Sequence, residues 1–167
     1  MLDFFKALIQ KIPTAKFLFI TKDNESSILE KCLEKGISRG SIIIKPSTRN
    51  DVPAYVNTSD ASIFFIKPVY SKKASSPTKM GEIMNMGIPI VCNAGVGDVD
   101  IVMNEVMPEL MVNSFKELEY QKVVNELVNY HHKIDINKIV ETSINYFSLE
   151  NGVESYYGVY KSVLKID

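Results

Sequence analysis

The feature that most constrains this chain is an alternation. Short, nearly continuous apolar runs are separated by stretches whose apolar residues recur three and four positions apart. Leu2, Phe5, Leu8, Ile9 and Ile12 keep helical spacing up to Pro13, and Lys16 to Thr21 (KFLFIT) follows as a β-rich run. Ile28, Leu29, Cys32 and Leu33 form a second helical stripe closed by Gly36, before a second strand, Ser41 to Lys45 (SIIIK). Asp51 suits the N-cap of a short helix through Pro53, Tyr55 and Val56, ahead of a third run, Ser62 to Lys67 (SIFFIK). Pro77 to Gly87 reads as a helix, Ile88 to Asn93 (IPIVCN) as the fourth strand, Val99 to Glu105 as a brief helix and Glu109 to Val112 as the fifth strand. Helical stretches near 115–131, 137–147 and 150–164 finish the chain.

Strands that are apolar at nearly every position need cover on both faces, which a parallel sheet between two helical layers provides. The expected fold class is therefore α/β, a Rossmann-like doubly wound parallel sheet with C-terminal helices. With 167 residues, 46% of them hydrophobic, the chain fits one domain, 1–167, in which residues about 137–167 form a helical extension. A doubly wound nucleotide-binding unit opens on a strand, whereas this sequence opens on a helix. The usual first strand is thus expected to lie ahead of Met1.

Composition narrows the partners. Nineteen Lys and Arg against 20 Asp and Glu leave a net charge of −1, so no global basic field recruits nucleic acid or an anionic membrane. No apolar run approaches the ~20 residues of a membrane-spanning helix. The start Met1-Leu2-Asp3-Phe4-Phe5 lacks the basic segment and cleavage site of a secretory signal, so the expected location is cytoplasmic. Cys32 and Cys92 have no close partner for a zinc or redox motif and read as small buried apolar residues. Adjacent His131 and His132 point to different sides of a helix and read as a solvated helix end. Tyr156, Tyr157 and Tyr160, with Val153, Val163 and Leu164, recur at helical spacing and are expected in core or interface packing.

In an open α/β sheet, ligands sit beyond the carboxyl ends of the strands. Ala61 to Gly81, which includes the loop after the third strand, holds Lys67, Lys72, Lys73 and Lys79 and no acid. Ser75-Ser76-Pro77-Thr78-Lys79 has the grammar of a helix start, with Ser76 as N-cap and Pro77 at the first helical position. The amides of Thr78 and Lys79 and the positive end of the helix dipole favour a phosphate there, and Lys79 adds a point charge. Glu82, three residues on, cannot serve a phosphate but can accept hydrogen bonds from two adjacent ribose hydroxyls; the bland alternative is a surface Lys79–Glu82 pair. After the fourth strand, Asn93-Ala94-Gly95-Val96-Gly97-Asp98 permits close backbone approach to a ligand. It lacks the third glycine of the dinucleotide fingerprint, where Asp100 stands, which argues against NAD. Asp98-Val99-Asp100 imitates a metal motif, but Asp98 is better explained as a helix cap, and no metal or cofactor is expected.

Read together, Ser76-Pro77-Thr78-Lys79-Met80-Gly81-Glu82-Ile83-Met84-Asn85-Met86-Gly87-Ile88-Pro89-Ile90-Val91 resembles the donor half of a group 1 (family 4) retaining glycosyltransferase of the GT-B fold. Asn50 to Val56, Ser59 to Ser62 and Phe147-Ser148-Leu149 extend the likeness over most of the chain. The resemblance implies that Glu82 holds the ribose, that Ser75, Ser76, Pro77, Thr78 and Lys79 meet the diphosphate with Gly95 and Gly97 nearby, and that Arg49 lies by the base. It implies further that Lys79 acts catalytically by stabilising the leaving diphosphate. The substrate would be a nucleotide diphosphate sugar, used without metal. An N-terminal acceptor domain would complete the enzyme, and any peripheral membrane association would come through that domain. Two departures stand out. Many members carry a glutamate eight positions before the ribose-binding one, where this chain has Ala74, and the family's Arg and Lys on the diphosphate have no counterpart before Leu2. A nucleotide-sugar epimerase and a non-catalytic nucleotide-binding module are the alternative readings.

Overall fold

The structure, a computed structural model, describes residues 1–130 and 135–165; His131 and His132 lie outside them. Helix α1 (Leu2–Lys11) ends just before Pro13 and leads into strand β1 (Phe17–Ile20). Helix α2 (Glu25–Glu34) starts at Asn24, whose side chain accepts a hydrogen bond from the Ser27 amide. The chain then reverses through Gly36, at φ +74°, where a residue without a Cβ adopts the left-handed conformation freely. Strand β2 (Ile42–Lys45) follows and pairs in parallel with β1, Phe17 opposite Ile42.

After the short helix α3 (Val52–Val56), a second parallel sheet is built from β3 (Ser62–Ile63), β4 (Ile90–Asn93) and β5 (Met111–Val112), with β4 in the centre. Helix α4 (Thr78–Asn85) connects β3 to β4, and α5 (Val99–Val106) connects β4 to β5. Helices α6 (Glu117–Tyr130), α7 (Ile136–Phe147) and α8 (Leu149–Leu164) complete the chain. The class is α/β with parallel strands. In place of one sheet there are two, ordered β1-β2 and β3-β4-β5, with no ladder joining them among the described residues.

Two apolar clusters match the two sheets. The larger packs Met80 and Met84 of α4, Val99 and Met103 of α5, and Val123 of α6 around β4, whose four residues are all buried. The smaller joins Phe5, Cys32, Ile37 and Ile42. Helix α1 serves both: Phe4 meets Phe65 and Tyr120 edge-on at ring distances of 5.9 Å, while Phe5 stacks on Phe17 at 5.0 Å. Both cysteines are buried, as their neighbourhoods in the sequence suggested.

Several expectations are corrected. The run Ser62 to Lys67 contributes only two residues to the ladder. The Phe64 amide still reaches the Val91 carbonyl at 3.1 Å, but the Ile66 amide donates to the Asn93 side chain at 2.7 Å instead of to backbone. Glu109 and Leu110 belong to a 3-10 turn, because Pro108 has no amide to offer a ladder. Asp51 stands at the N-cap position of α3, yet its carboxylate accepts from the Thr48 hydroxyl at 2.6 Å and caps nothing. The tyrosines of α8 are not in the core: none of that helix's described residues is buried, and its main packing is the corner with α7.

Candidate functional site

The loops after β3 and β4 lie against each other, joined by the Asn93 side chain and by a close backbone contact. Asn93 closes β4, and its buried amide side chain accepts from Ile66 and donates to the Ala94 carbonyl at 2.9 Å. The chain then turns through Gly95, at φ +80°, whose amide donates to the Asp100 carboxylate at 2.9 Å. Gly97, at φ +47°, lies against the backbone of Ser75: a Cβ there would overlap the Ser75 carbonyl. Glycine is thus required at 97 for two reasons, conformation and space. Its contact partner stands 22 positions earlier in the acid-free lysine loop.

That junction sets the start of α4. The helix begins at Thr78, with Pro77 in the N-cap place at φ −74° and ψ 95°, so Pro77 is not its first helical residue and Ser76 is not its cap. The shift has a local cause. A residue preceding proline is driven toward extended backbone, and Ser75, in close contact with Gly97, donates its amide hydrogen bond to the Lys72 carbonyl at 3.2 Å. Ser76, moved one place out, makes no capping bond. The first-turn amides of α4 retain the donor character of any helix start. The Met80 amide is turned back onto the Pro77 carbonyl at 2.8 Å.

Lys79 and Glu82 are exposed on the first turns of α4, beside the buried Met80 and Gly81. The ion pairs among the described residues are Lys35–Asp3 and Arg39–Glu25, so the surface pair that would explain Lys79 and Glu82 blandly is not formed. Lys67, Lys72 and Lys73 are exposed along the same loop. Together they make a positive ledge open to solvent. Two cavities lie elsewhere, one of about 210 Å³ beside Asp3, Lys6 and Phe115, and one of about 500 Å³ along α8.

The structure brings Ser75 and Gly97 into contact and puts Gly95 near Pro68, with Pro77, Thr78, Lys79 and Glu82 following on α4. Arg49 is not joined to them. It is exposed in the turn after β2, on the sheet that shares no ladder with β4. Among the described residues no three His, Cys, Asp or Glu side chains converge as a metal cluster; Asp98 is exposed at the start of α5, and Asp100 is occupied by the Gly95 amide.

Sequence reasoning missed three supports of this edge. The sequence sets Asn93 at the end of a strand and at the head of the glycine turn, without showing that its side chain takes the Ile66 amide. Asp100 was read against two motifs when its task is to hold Gly95. Ser143 of α7 donates to the Gly81 carbonyl at 2.9 Å, and nothing in the local pattern announces that bond. Gly81 itself is where the Phe147 ring packs on α4, since a Cβ there would come within 2.6 Å of the ring. Beneath the edge, burial and then the nearby Asp100 push the Cys92 thiol up to about 12, so it is a packing group and not a nucleophile. Comparison with protein-family models, curated proteins and solved structures finds no match to this chain.

Proposed function

We propose that the chain is the donor-binding part of a retaining glycosyltransferase, in which the edge formed by the loops after β3 and β4 takes a nucleotide diphosphate sugar. The observation that carries the reading is the Ser75–Gly97 junction. It sets Ser75 of the lysine loop against the turn after β4, just ahead of α4, with Lys79 and Glu82 exposed and not paired to each other among the described residues. The diphosphate lies across the first amides of α4 and Lys79, where donors and dipole are already aligned. As the glycosyl bond breaks, the same groups stabilise the charge gathering on the leaving diphosphate. Glu82 accepts from the two ribose hydroxyls.

The division into a two-stranded and a three-stranded parallel sheet supports the doubly wound reading. A Rossmann-like sheet with one inner strand withdrawn leaves two such pieces, and α1 places side chains in the clusters of both.

Titration with uridine, guanosine, adenosine and thymidine diphosphates, followed by amide NMR, tests the site. At least one should shift Ser75 to Lys79, Glu82, Gly95 and Gly97, with or without chelator. Glu82→Ala should weaken that binding roughly 10- to 150-fold, the value of about 1.5–3 kcal/mol for hydrogen bonds to a charged acceptor, and should bind the 2′,3′-dideoxy analogue as the parent does. No binding at millimolar concentration, or equal losses for both nucleotides, would overturn the reading. The 167-residue chain should give only background hydrolysis of nucleotide sugars, because transfer needs an acceptor held across a cleft.

A further inference from the structure

We infer that the cavity between α1 and α6 is a saccharide site, sized for one pyranose ring. None of its lining residues belongs to the edge assigned to the nucleotide, so it stands independently of that reading. Asp3, Lys6 and Gln10 share one face of α1, and Glu117 and Tyr120 share one face of α6, because residues three and four apart on a helix project together. The two helices pack along each other, and Phe115, just ahead of α6, completes the polar and aromatic lining. Ala7, buried on the α1 side, adds only a methyl group to the wall. The volume of about 210 Å³ is below the ~300–1,000 Å³ of sites for drug-sized molecules and matches a single ring.

Tyr120 is the residue that points to a ligand. It is 7% exposed, with its ring stacked on Phe65 at 6.0 Å and edge-on to Phe4 at 5.9 Å. Its hydroxyl has no hydrogen-bond partner among the described residues, and none of their fully buried side-chain oxygens lacks one, so this hydroxyl is reached from the cavity that the residue lines. Burial and then the nearby Asp3 raise the phenol, which therefore stays protonated at neutral pH and both donates and accepts. Lys6 brings donors and Gln10 brings both kinds of group. Asp3 keeps one oxygen beyond its ion pair with Lys35 at 2.8 Å, and Glu117 keeps one beyond the bond from Gln121 at 3.4 Å. Two carboxylates, Asp3 and Glu117, stand against two ammonium groups, Lys6 and Lys35, so net charge selects neither an anion nor a cation. A neutral ligand rimmed with hydroxyls fits this mixture, because each hydroxyl donates and accepts and two adjacent ones can bridge a carboxylate. Phe115, 47% exposed, offers an apolar platform for the C–H face of such a ring. A nucleobase is best held between two flat surfaces, and here the Tyr120 ring is already covered by Phe65 and Phe4, which favours a ring with one apolar face.

Amide NMR titration of the 167-residue chain with glucose, galactose, mannose and N-acetylglucosamine tests the site. At least one sugar should give saturable shifts at Lys6, Gln10, Phe115, Glu117 and Tyr120, with a Kd of about 1–10 mM for a ligand of about 12–15 non-hydrogen atoms. Glu82→Ala should leave those shifts unchanged, which separates this cavity from the nucleotide edge. Tyr120→Phe keeps the ring in its packing and removes only the hydroxyl, and it should weaken binding roughly 3- to 10-fold. Phe115→Ala removes the platform and should weaken it by a similar roughly 3- to 10-fold. Thermal melts check both variants. If Phe115→Ala unfolds the chain, Tyr120→Phe and the exposed Gln10→Ala carry the test, and each should still lose affinity. No saturable shift with any of the four sugars at about 50 mM overturns the inference. Shifts confined to residues outside α1, Phe115 and α6 overturn it as well, and so does parental affinity in Tyr120→Phe together with Gln10→Ala. Uridine, cytidine, adenosine or guanosine moving the same amides at lower concentration than every sugar would give the cavity to a nucleobase and overturn the saccharide assignment.

Discussion

Strands β1 and β4 are nearly equivalent as sequence, FLFI and IVCN, yet they live in different surroundings. Every residue of β4 is buried, with β3 on one side, β5 on the other and helices α4 and α5 against it. Every residue of β1 is half-buried, with β2 its single ladder partner among the described residues. Composition does not set that difference; the number of neighbours does. The candidate edge belongs to the sheet with the full complement, where Asn93, Gly95 and Gly97 can be held to fixed positions by a buried strand. Arg49 stands at the end of the half-covered one.

The strongest way to break the contrast is one substitution made in both strands. Ile90→Ala, at a fully buried position, should cost about 2–5 kcal/mol, as deletion of a buried aliphatic side chain does where the site cannot collapse. Ile20→Ala, half-buried in β1, should cost about 1 kcal/mol, since solvent already reaches the side chain. Urea unfolding of the two variants measures both. Equal losses would mean that β1 is as deeply packed as β4 in solution.

Smaller, and opposite in sign, are two glycine-to-alanine changes in helices. Gly81 faces Phe147, and an added methyl would press on that ring at 2.6 Å. Overpacking of about 1–3 kcal/mol should therefore outweigh the gain in helix propensity of about 1 kcal/mol. At Gly158 of α8 nothing lies within 4 Å of the added methyl, so the propensity gain stands alone and Gly158→Ala should stabilise that helix by about 0.5–1 kcal/mol. Thermal melts decide it: a destabilising Gly158→Ala would show that α8 packs more closely than its exposure indicates.

How much of this was legible beforehand follows the same division. Period and length identified the helices from α1 to α8 and the strands β1, β2 and β4, because those signals are carried within each segment. The shortness of β3 was not legible: FFI of Ser62 to Lys67 has the letters of a strand, but what its amides bond depends on Asn93, 27 residues beyond Ile66. The start of α4 lies one residue later than its letters suggest, where Ser75 packs against Gly97 across the loop. Gly95-x-Gly97, weak as a motif, proved informative through sterics that no local window contains. The tyrosine stripe was legible as one face of a helix, whereas its exposure depends on where α7 delivers that helix.

The finest test sets the two cysteines against each other. Burial and then Asp100 raise the Cys92 thiol from 9.0 to about 12, whereas Cys32, on the smaller cluster, is raised by burial alone. A thiol held protonated by the fold contributes nothing to the pH dependence while both states are protonated, below about pH 9. Above that, the unfolded chain releases the proton and the native chain keeps it, so stability falls as pH rises, until the folded thiol ionises near 12. For one fully shifted group the loss between pH 9 and 10 is about 1 kcal/mol. Tyr120, Tyr130 and Tyr146 are raised from an ordinary 10.0 and add to the decline over the same interval, so each thiol is read from the difference between its variant and the parent. Cys92→Ala lowers stability at every pH by leaving a small void, but it should also flatten the decline between pH 9 and 10, while Cys32→Ala should flatten it less. An undiminished slope in Cys92→Ala would mean that solvent reaches β4, and the premise that its sheet is the rigid base of the candidate edge would fall with it.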